Sequence, residues 1–317
     1  MPENNIAPLR VLIIPVFNDR ASVRVLIGKL AEAVGPSGWK ICLVDDGSTL
    51  DPPQTADIAG PGFGGVVLRL PHNMGHQAAI ACGLGYVAAT WPGADAVIID
   101  ADGEDRPEDL PALLGNLTGQ GLCAVVAKRG RRSESMAFKC FYTVYKGIFR
   151  LLTGQRLNFG NFMVLSGEAV RRLASMQQVW LHVPAALIAS RIPRISVSID
   201  RGRRYAGASH MNFVSLSVHG LRALSIFPDA VFMRMILAGT ALIVAGLVAS
   251  LVALVLKATG NATPGWFTSV AGVFLIIAVQ AIGMFLTLLI VSGIMDRDRL
   301  RDASTLYLDC NALVEAT

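Results

Sequence analysis

A chain of 317 residues has room for one sizeable catalytic core plus a smaller appendage, because single cores stop growing at roughly 250 to 300 residues. With 53% hydrophobic and only 16% charged residues, and a mean hydropathy of +0.51, the chain is too apolar for an ordinary soluble enzyme. Its 28 basic and 23 acidic residues leave a net charge of +5, modest and clustered, which fits an anionic substrate or a lipid surface and excludes bulk nucleic-acid binding.

In chain order, the first residues lack the basic, apolar and small-residue succession of a secretory signal, so the N-terminal domain is expected to stay where it is made. Short apolar runs follow at 10–17, 40–45, 65–70, 95–100 and 122–127, with helical spacing between most of them at 21–34, 75–90 and 108–117. This alternation predicts a βαβ series. Parallel strands buried on both faces read as continuous apolar runs, and ligands bind beyond their C-terminal ends. No GxGxxG follows the first run, which disfavours a dinucleotide site. Cys42, Cys82, Cys123, Cys140 and Cys310 are far apart with no CxxC pair, so free thiols in a reducing compartment are expected.

Residues 137–153 repeat aromatic and aliphatic side chains at helical spacing beside Lys139, Lys146 and Arg150. That pattern suits a helix lying in a membrane interface or one packed on a core. A second such segment, 212–230, leads into two apolar stretches at 235–256 and 266–295, each long enough for the roughly 20 residues that a helix needs to cross a bilayer. Arg222 and Arg234 precede the pair, Arg297, Arg299 and Arg301 follow it, and the connecting loop carries only Lys257. Positive flanks of this kind predict both termini on the cytoplasmic side. The expected organisation is a catalytic domain over 1–211, the amphipathic segment 212–230, a two-helix hairpin over 231–295 and a cytoplasmic tail over 296–317.

Three short motifs fall at the ends of expected strands. In Asp100-Ala101-Asp102, side chains at i and i+2 of an extended chain project to one side, so both carboxylates can reach one cation. Mg²⁺ and Mn²⁺ are commonly held in this way, by one or two carboxylates together with substrate phosphate oxygens. In Val44-Asp45-Asp46-Gly47-Ser48, an aspartate beyond a strand can accept hydrogen bonds from a base or ribose, although a capping turn would read the same. Pro15-Val16-Phe17-Asn18-Asp19 ends at the same expected edge, which favours one shared nucleotide pocket.

PVFND, VDDGS, HNMGHQAAI and DADGED, in this order, resemble the family 2 glycosyltransferases, and the later segments with the two apolar stretches resemble their polyprenyl-phosphate branch. The resemblance implies an α/β GT-A fold, a Rossmann-like nucleotide-sugar-binding domain followed by a two-helix transmembrane hairpin. It implies that Pro15, Val16, Asn18, Asp45 and Asp46 frame the nucleotide, that Asn73, Gly75 and His76 line its base and ribose side, and that Asp100, Ala101 and Asp102 complete the pocket. Asp100 and Asp102 would hold Mg²⁺ or Mn²⁺. The implied reaction is inverting transfer of a hexose from a UDP- or GDP-sugar to an undecaprenyl or dolichyl phosphate, in a bacterial inner membrane, with a homo-oligomer left open. Transfer to another membrane lipid, or a non-catalytic scaffold that kept the fold, are the alternatives.

Two basic segments then acquire a meaning, since guanidinium groups bind phosphate bidentately and stay charged. Arg129 and Arg132 suit the diphosphate, and Arg201, Arg204, Ser209 and His210, which resemble the family's RxxRxxGxSK segment, suit the lipid phosphate. Two positions depart from the family pattern. Gly160-Asn161-Phe162-Met163 stands where several relatives read GDFR, and His210 stands where Lys is usual.

Overall fold

The computed structural model describes residues 9–117, 121–129, 136–205, 213–260, 265–299, 306–309 and 312–317. They fall into two compact units, Met1–Lys146 with Arg156–Ile226 and Asp302–Thr317, and Gly147–Gln155 with Phe227–Arg301.

The first unit opens with β1 (Arg10–Val16), α1 (Arg20–Val34), β2 (Trp39–Asp45), α2 (Thr55–Ala59), β3 (Gly64–Arg69), α3 (His76–Thr90), β4 (Asp95–Ile98), α4 (Leu110–Gly115) and β5 (Ala124–Arg129). These match the alternation of apolar runs and helical spacing, because β1, β2 and β4 are buried almost end to end, as strands covered on both faces must be. The chain continues through α5 (Met136–Thr153), β6 (Met163–Leu165), α6 (Gly167–Ala174), α7 (Val183–Ala189), β7 (Arg194–Ile199) and α8 (Phe213–Leu224). After α9 (Pro228–Ala258) and α10 (Trp266–Arg299), it ends in α11 (Leu306–Asp309) and β8 (Leu313–Ala316).

All eight strands join one sheet in the order β7-β5-β6-β4-β1-β2-β3-β8. It is mixed: β4, β1, β2 and β3 are parallel, whereas β6 runs antiparallel to β4 and β5, and β8 antiparallel to β3. Successive strands β1, β2 and β3 step one way across the sheet and β4 lies on the other side of β1, so the strand order reverses between β1 and β4. At such a switch point the loops after the two strands part and leave a crevice. The register places Val16 beside Asp45 and Ile13 beside Ile98, which brings residues 17–18, 45–48 and 99–102 to the same edge.

Helix α3 packs close on this sheet because of Gly83, where an added Cβ would lie 2.6 Å from Ile13 Cγ2 and 3.0 Å from Val44 Cγ2. Arg20 at the start of α1 forks onto Asp57 and also meets Asp51 at 2.8 Å, which ties α1 and α2 to the loop after β2. Cys42, Cys82 and Cys123 are buried.

In the second unit, α9 and the stretch Trp266–Thr287 of α10 are long and apolar enough to cross a membrane, with mean hydropathies of 2.5 and 2.3. They contain most of the two apolar stretches 235–256 and 266–295. Gly246 is buried in α9 against the Phe274 ring, 2.7 Å from where its Cβ would be, so a small residue sets the close approach of the pair. Many of the exposed side chains are aliphatic, among them Leu242, Leu247, Leu251, Leu275 and Ile282. β8 follows both helices and pairs with β3, which precedes both, so either both helices cross a bilayer or neither does, and the sheet and the C-terminal strand lie on one side of it.

His182 caps α7, its Nδ1 accepting the Ala185 N–H at 3.2 Å, and its ring lies 4.3 Å from that of His219 on α8. Burial, then the neighbouring His219, push the His182 pKa down to about 3 from 6.5. A histidine whose folded pKa is depressed contributes stability that is complete above about 6.5 and lost as the pH falls toward the folded value, about 1.4 kcal/mol by pH 5.5. His219 is shifted the same way, by burial and by His76 and Arg222. The full-length protein should therefore melt at a lower temperature at pH 5.5 than at pH 7, and His182→Asn, which keeps a capping acceptor, should show a smaller drop. An equal drop in the variant would remove His182 from the account of acid sensitivity.

Candidate functional site

At the end of β1, Pro15 and Val16 are buried within the strand, and the chain leaves it through Asn18, whose φ of 50° is a left-handed value that asparagine tolerates. Asn18 Oδ1 accepts the N–H groups of Thr49 at 2.9 Å and Leu50 at 2.8 Å, and its own N–H donates to Ser48 Oγ at 2.8 Å. Ser48 N–H in turn donates to Asp45 Oδ1 at 3.0 Å, so the loops after β1 and β2 form one hydrogen-bonded unit. Gly47, at φ 72°, lets this turn lie on the His72 backbone, 2.5 Å from where a Cβ would stand.

Asp46 faces away from that unit. It is buried, and its two oxygens accept Met74 N–H at 2.7 Å and Gly75 N–H at 3.0 Å, which holds the loop carrying Asn73 against the N-terminus of α3. Burial raises its pKa, and the two N–H donors oppose the shift. Asp46 is thus a backbone anchor for the Asn73–Gly75 turn, and Asn73 itself is exposed.

Beyond β4, the Asp100 N–H donates to the buried Asp105 at 3.2 Å, and Asp102 Oδ1 accepts the Glu104 N–H at 2.9 Å. Ala101, between the aspartates, is buried in the core. The segment after β7 docks on this loop through backbone bonds, Gly202 N–H to Glu104 O and Tyr205 N–H to Asp102 O, each 2.9 Å. The Tyr205 ring covers Gly103, whose φ is 86°. Arg204 then bridges two acids, with Nη2 3.0 Å from Asp102 Oδ2 and Nε donating to Glu104 Oε1 at 2.9 Å, while Arg201 pairs with the other oxygen of Glu104.

The charge pattern follows from this crowding. Burial, and then the neighbouring Asp100 and Glu104, push Asp102 above its ordinary range. For Glu104, burial acts in the same direction, but the hydrogen bonds from Arg201 and Arg204 outweigh it and hold the group low. Among the described residues no three His, Cys, Asp or Glu side chains form a complete cation cage. Two aspartates beyond a strand are instead a partial donor set of hard oxygens, suited to a cation that keeps most of its shell for a ligand.

Arg201 and Arg204, read from sequence as a cluster for a second substrate, are thus brought onto the Asp102–Glu104 loop. Arg129 ends β5, whereas Arg132, Ser209 and His210 lie outside the described residues. Glu104 and Gln77 escaped the sequence reading. Glu104 continues the i, i+2 spacing of Asp100 and Asp102, a signal that was available, while Gln77 gives none.

Gln77 is the hub of a polar chain that reaches Asn161. Val183 N–H donates to Gln77 Oε1 at 2.6 Å, Gln77 Nε2 lies 3.2 Å from Asn161 Oδ1, and Asn161 Nδ2 lies 2.9 Å from His76 Nε2. Only an oxygen can accept from the Val183 N–H, so the amide orientation of Gln77 is set, and that of Asn161 follows from it. Asn161 therefore offers a donor to His76, where an aspartate would offer an acceptor. His76 Nε2 also stands 3.2 Å from Asp100 Oδ1, and because one ring nitrogen either accepts from Asn161 or donates to the carboxylate, the two contacts belong to different protonation states of His76.

Residues 11–180 match the model of glycosyl transferase family 2. The undecaprenyl-phosphate 4-deoxy-4-formamido-L-arabinose transferase of Pectobacterium carotovorum subsp. carotovorum is 27% identical over 286 residues, covering 86% of this chain and 85% of the relative. The dodecaprenyl-phosphate galacturonate synthase of Rhizobium johnstonii is 32% identical over 130 residues, which cover 39% of this chain and 37% of that one. Glucosyl-3-phosphoglycerate synthase from Mycobacterium tuberculosis, solved with Mn²⁺, UDP-glucose and phosphoglyceric acid, superposes with a TM-score of 0.53 at 18% identity, over 71% of this chain and 80% of the synthase. At this identity the likeness concerns the fold alone. With more than half its length inside the family model, the chain belongs to glycosyl transferase family 2.

Proposed function

We propose that the protein transfers a hexose, with inversion, from a nucleotide-sugar to a polyprenyl phosphate at the cytoplasmic face of the membrane. The observation that carries this reading is the docking of Arg201 and Arg204 on the acidic loop after β4, in a segment that runs on through α8 into the first apolar helix. A pair of guanidiniums in the stretch of sequence that leads from the acidic loop to the apolar helices suits a lipid that carries a phosphate. The names of the Pectobacterium and Rhizobium relatives, both polyprenyl-phosphate sugar enzymes, support the same acceptor class.

In this reading Asn18 and Asp45 orient the nucleoside, and the Asn73–Gly75 turn anchored by Asp46 closes the far side of the pocket. Asp100 and Asp102 would hold Mg²⁺ or Mn²⁺, which when bound supplies positive charge to the departing diphosphate. Arg201 and Arg204 stay on the acceptor side in this reading, where their positive charge would face the lipid phosphate. The acceptor requires little from the protein in proton transfer: with a second pKa near 6, a phosphate monoester is already largely ionised at neutral pH and can attack the anomeric carbon directly.

Asp102→Asn should abolish transfer and Asp100→Asn should reduce it less severely, both with melting temperatures near wild type. EDTA should stop the wild-type reaction until Mg²⁺ or Mn²⁺ is restored. Full activity of both variants, or of the chelated enzyme, would contradict a metal held by this pair. Arg204→Ala tests the bridge. Loss of a charge-assisted hydrogen bond should slow transfer about ten- to hundredfold, while removal of a positive charge beside Asp102 and Glu104 should tighten Mn²⁺ binding about two- to tenfold. Weaker Mn²⁺ binding in a titration followed by electron paramagnetic resonance would show that Arg204 supports the cation site instead of balancing it.

A further inference from the structure

A second ion network reaches the candidate nucleotide pocket from the opposite end of the sequence. β8 adds to β3 in antiparallel register, Glu315 opposite Val67 and Leu313 opposite Arg69. Thr317 N–H donates to Gly65 O at 3.1 Å, and Gly65 N–H donates to Thr317 Oγ1 at 2.9 Å. Upstream, Tyr307 of α11 lies against α3, edge-on to Tyr86 with ring centroids 6.5 Å apart, in space left by Gly85, where a Cβ would come 2.9 Å from Tyr307 Cβ. The C-terminal segment is therefore seated on the catalytic sheet at two places.

Arg69, the last residue of β3, spends its guanidinium on two carboxylates. Nε and Nη2 fork onto Glu315 at 2.6 and 2.9 Å, and Nη1 donates to Asp45 Oδ2 at 3.1 Å. The Asp45 side chain is only 3% exposed and that of Glu315 is 44% exposed, so a surface residue of the tail reaches, through Arg69, a buried carboxylate at the end of β2. Asp45 Oδ1 is the acceptor for Ser48, and Ser48 Oγ is the acceptor for Asn18, so both loops of the pocket hang on the same carboxylate.

We propose that the C-terminal strand is a positioning element for the donor nucleotide, in which Glu315 fixes Arg69 and Arg69 fixes Asp45 in the orientation that holds the loops after β1 and β2 together. This inference rests on the reading of Asp45 as part of the nucleotide pocket. With Nε and Nη2 forked onto Glu315, it is Nη1 that Arg69 presents to Asp45. Without Glu315, the guanidinium is released to fork onto Asp45 itself or to turn to water, and either movement reorients Asp45 and loosens Ser48 and Asn18. Because the strand follows both apolar helices, the pocket is complete only when the chain has returned from them.

The test uses full-length protein in detergent with Mn²⁺ and whichever of UDP and GDP the wild type binds more tightly. Glu315→Gln, which keeps the size and β-register of the residue, should weaken nucleotide binding roughly three- to tenfold by calorimetry. It should raise the donor KM by the same factor, with kcat and acceptor KM within about twofold and the melting temperature near wild type. In an Asp45→Asn background, Glu315→Gln should cause no further loss, since both act through one carboxylate. Unchanged nucleotide affinity in Glu315→Gln while Asp45→Asn is impaired overturns the positioning role and leaves the pocket standing. Equal losses from Glu315→Gln in both backgrounds also overturn it. Asp45→Asn that binds nucleotide like wild type removes the pocket reading, and the positioning role with it.

Discussion

Asp45, Asp46, Asp100, Asp102 and Glu104 crowd one edge of a mostly parallel sheet, and a folded chain cannot hold so much like charge beside buried surface without compensation. Much of the site's architecture answers that constraint. Asp46 is satisfied by two backbone N–H groups, Asp45 by Ser48 and Arg69, and Asp102 and Glu104 by Arg204 and Arg201. The compensating groups are drawn from distant parts of the chain, so the acidic edge also organises the fold around it. In the proposed reaction a divalent cation and a diphosphate would add their charges to this edge, where Arg204 already pairs with Asp102 and Glu104.

The second constraint is topological. Two helices long and apolar enough to cross a membrane are inserted between α8 and a strand that returns to the sheet, so a chain that crosses through both comes back to the side it left. An enzyme acting on a lipid phosphate needs its pocket on the side where the headgroup is presented. α5 and α8 contribute to the same surface: Tyr145 of α5 packs on Gly220 of α8, while Val144 of α5 and Val218 and Leu221 of α8 stay exposed.

Hydropathy period and loop residues made much of this legible in the sequence. β1, β2, β3 and β4 read as short, largely apolar runs because they are largely buried, and α9 and the stretch Trp266–Thr287 of α10 are apolar over lengths that suit a membrane span, so both patterns survive without tertiary information. Strands β6, β7 and β8 were not legible for identifiable reasons. β6 has three residues, too few for a period; β7 alternates polar and apolar at an edge; and β8 lies in a segment whose composition is that of a tail. At the site, strand-end aspartates were visible as motifs, but their division of labour was not. That Asp46 serves backbone N–H groups while Asp45 faces Ser48 and Arg69 depends on which way adjacent side chains turn at the end of β2. That Arg204 meets Asp102 depends on a contact between residues about a hundred positions apart, which no local spacing encodes.

The claim on which the account turns is the identity of the acceptor group. The most direct measurement is mass spectrometry of the organic-phase product after full-length protein in liposomes containing polyprenyl phosphate is given a panel of UDP- and GDP-hexoses. One donor should yield a lipid heavier than polyprenyl phosphate by one hexosyl unit, with one nucleoside diphosphate released per lipid glycosylated. Nucleoside diphosphate released with free hexose in the aqueous phase, or hexose found on a lipid without a phosphate, would contradict it.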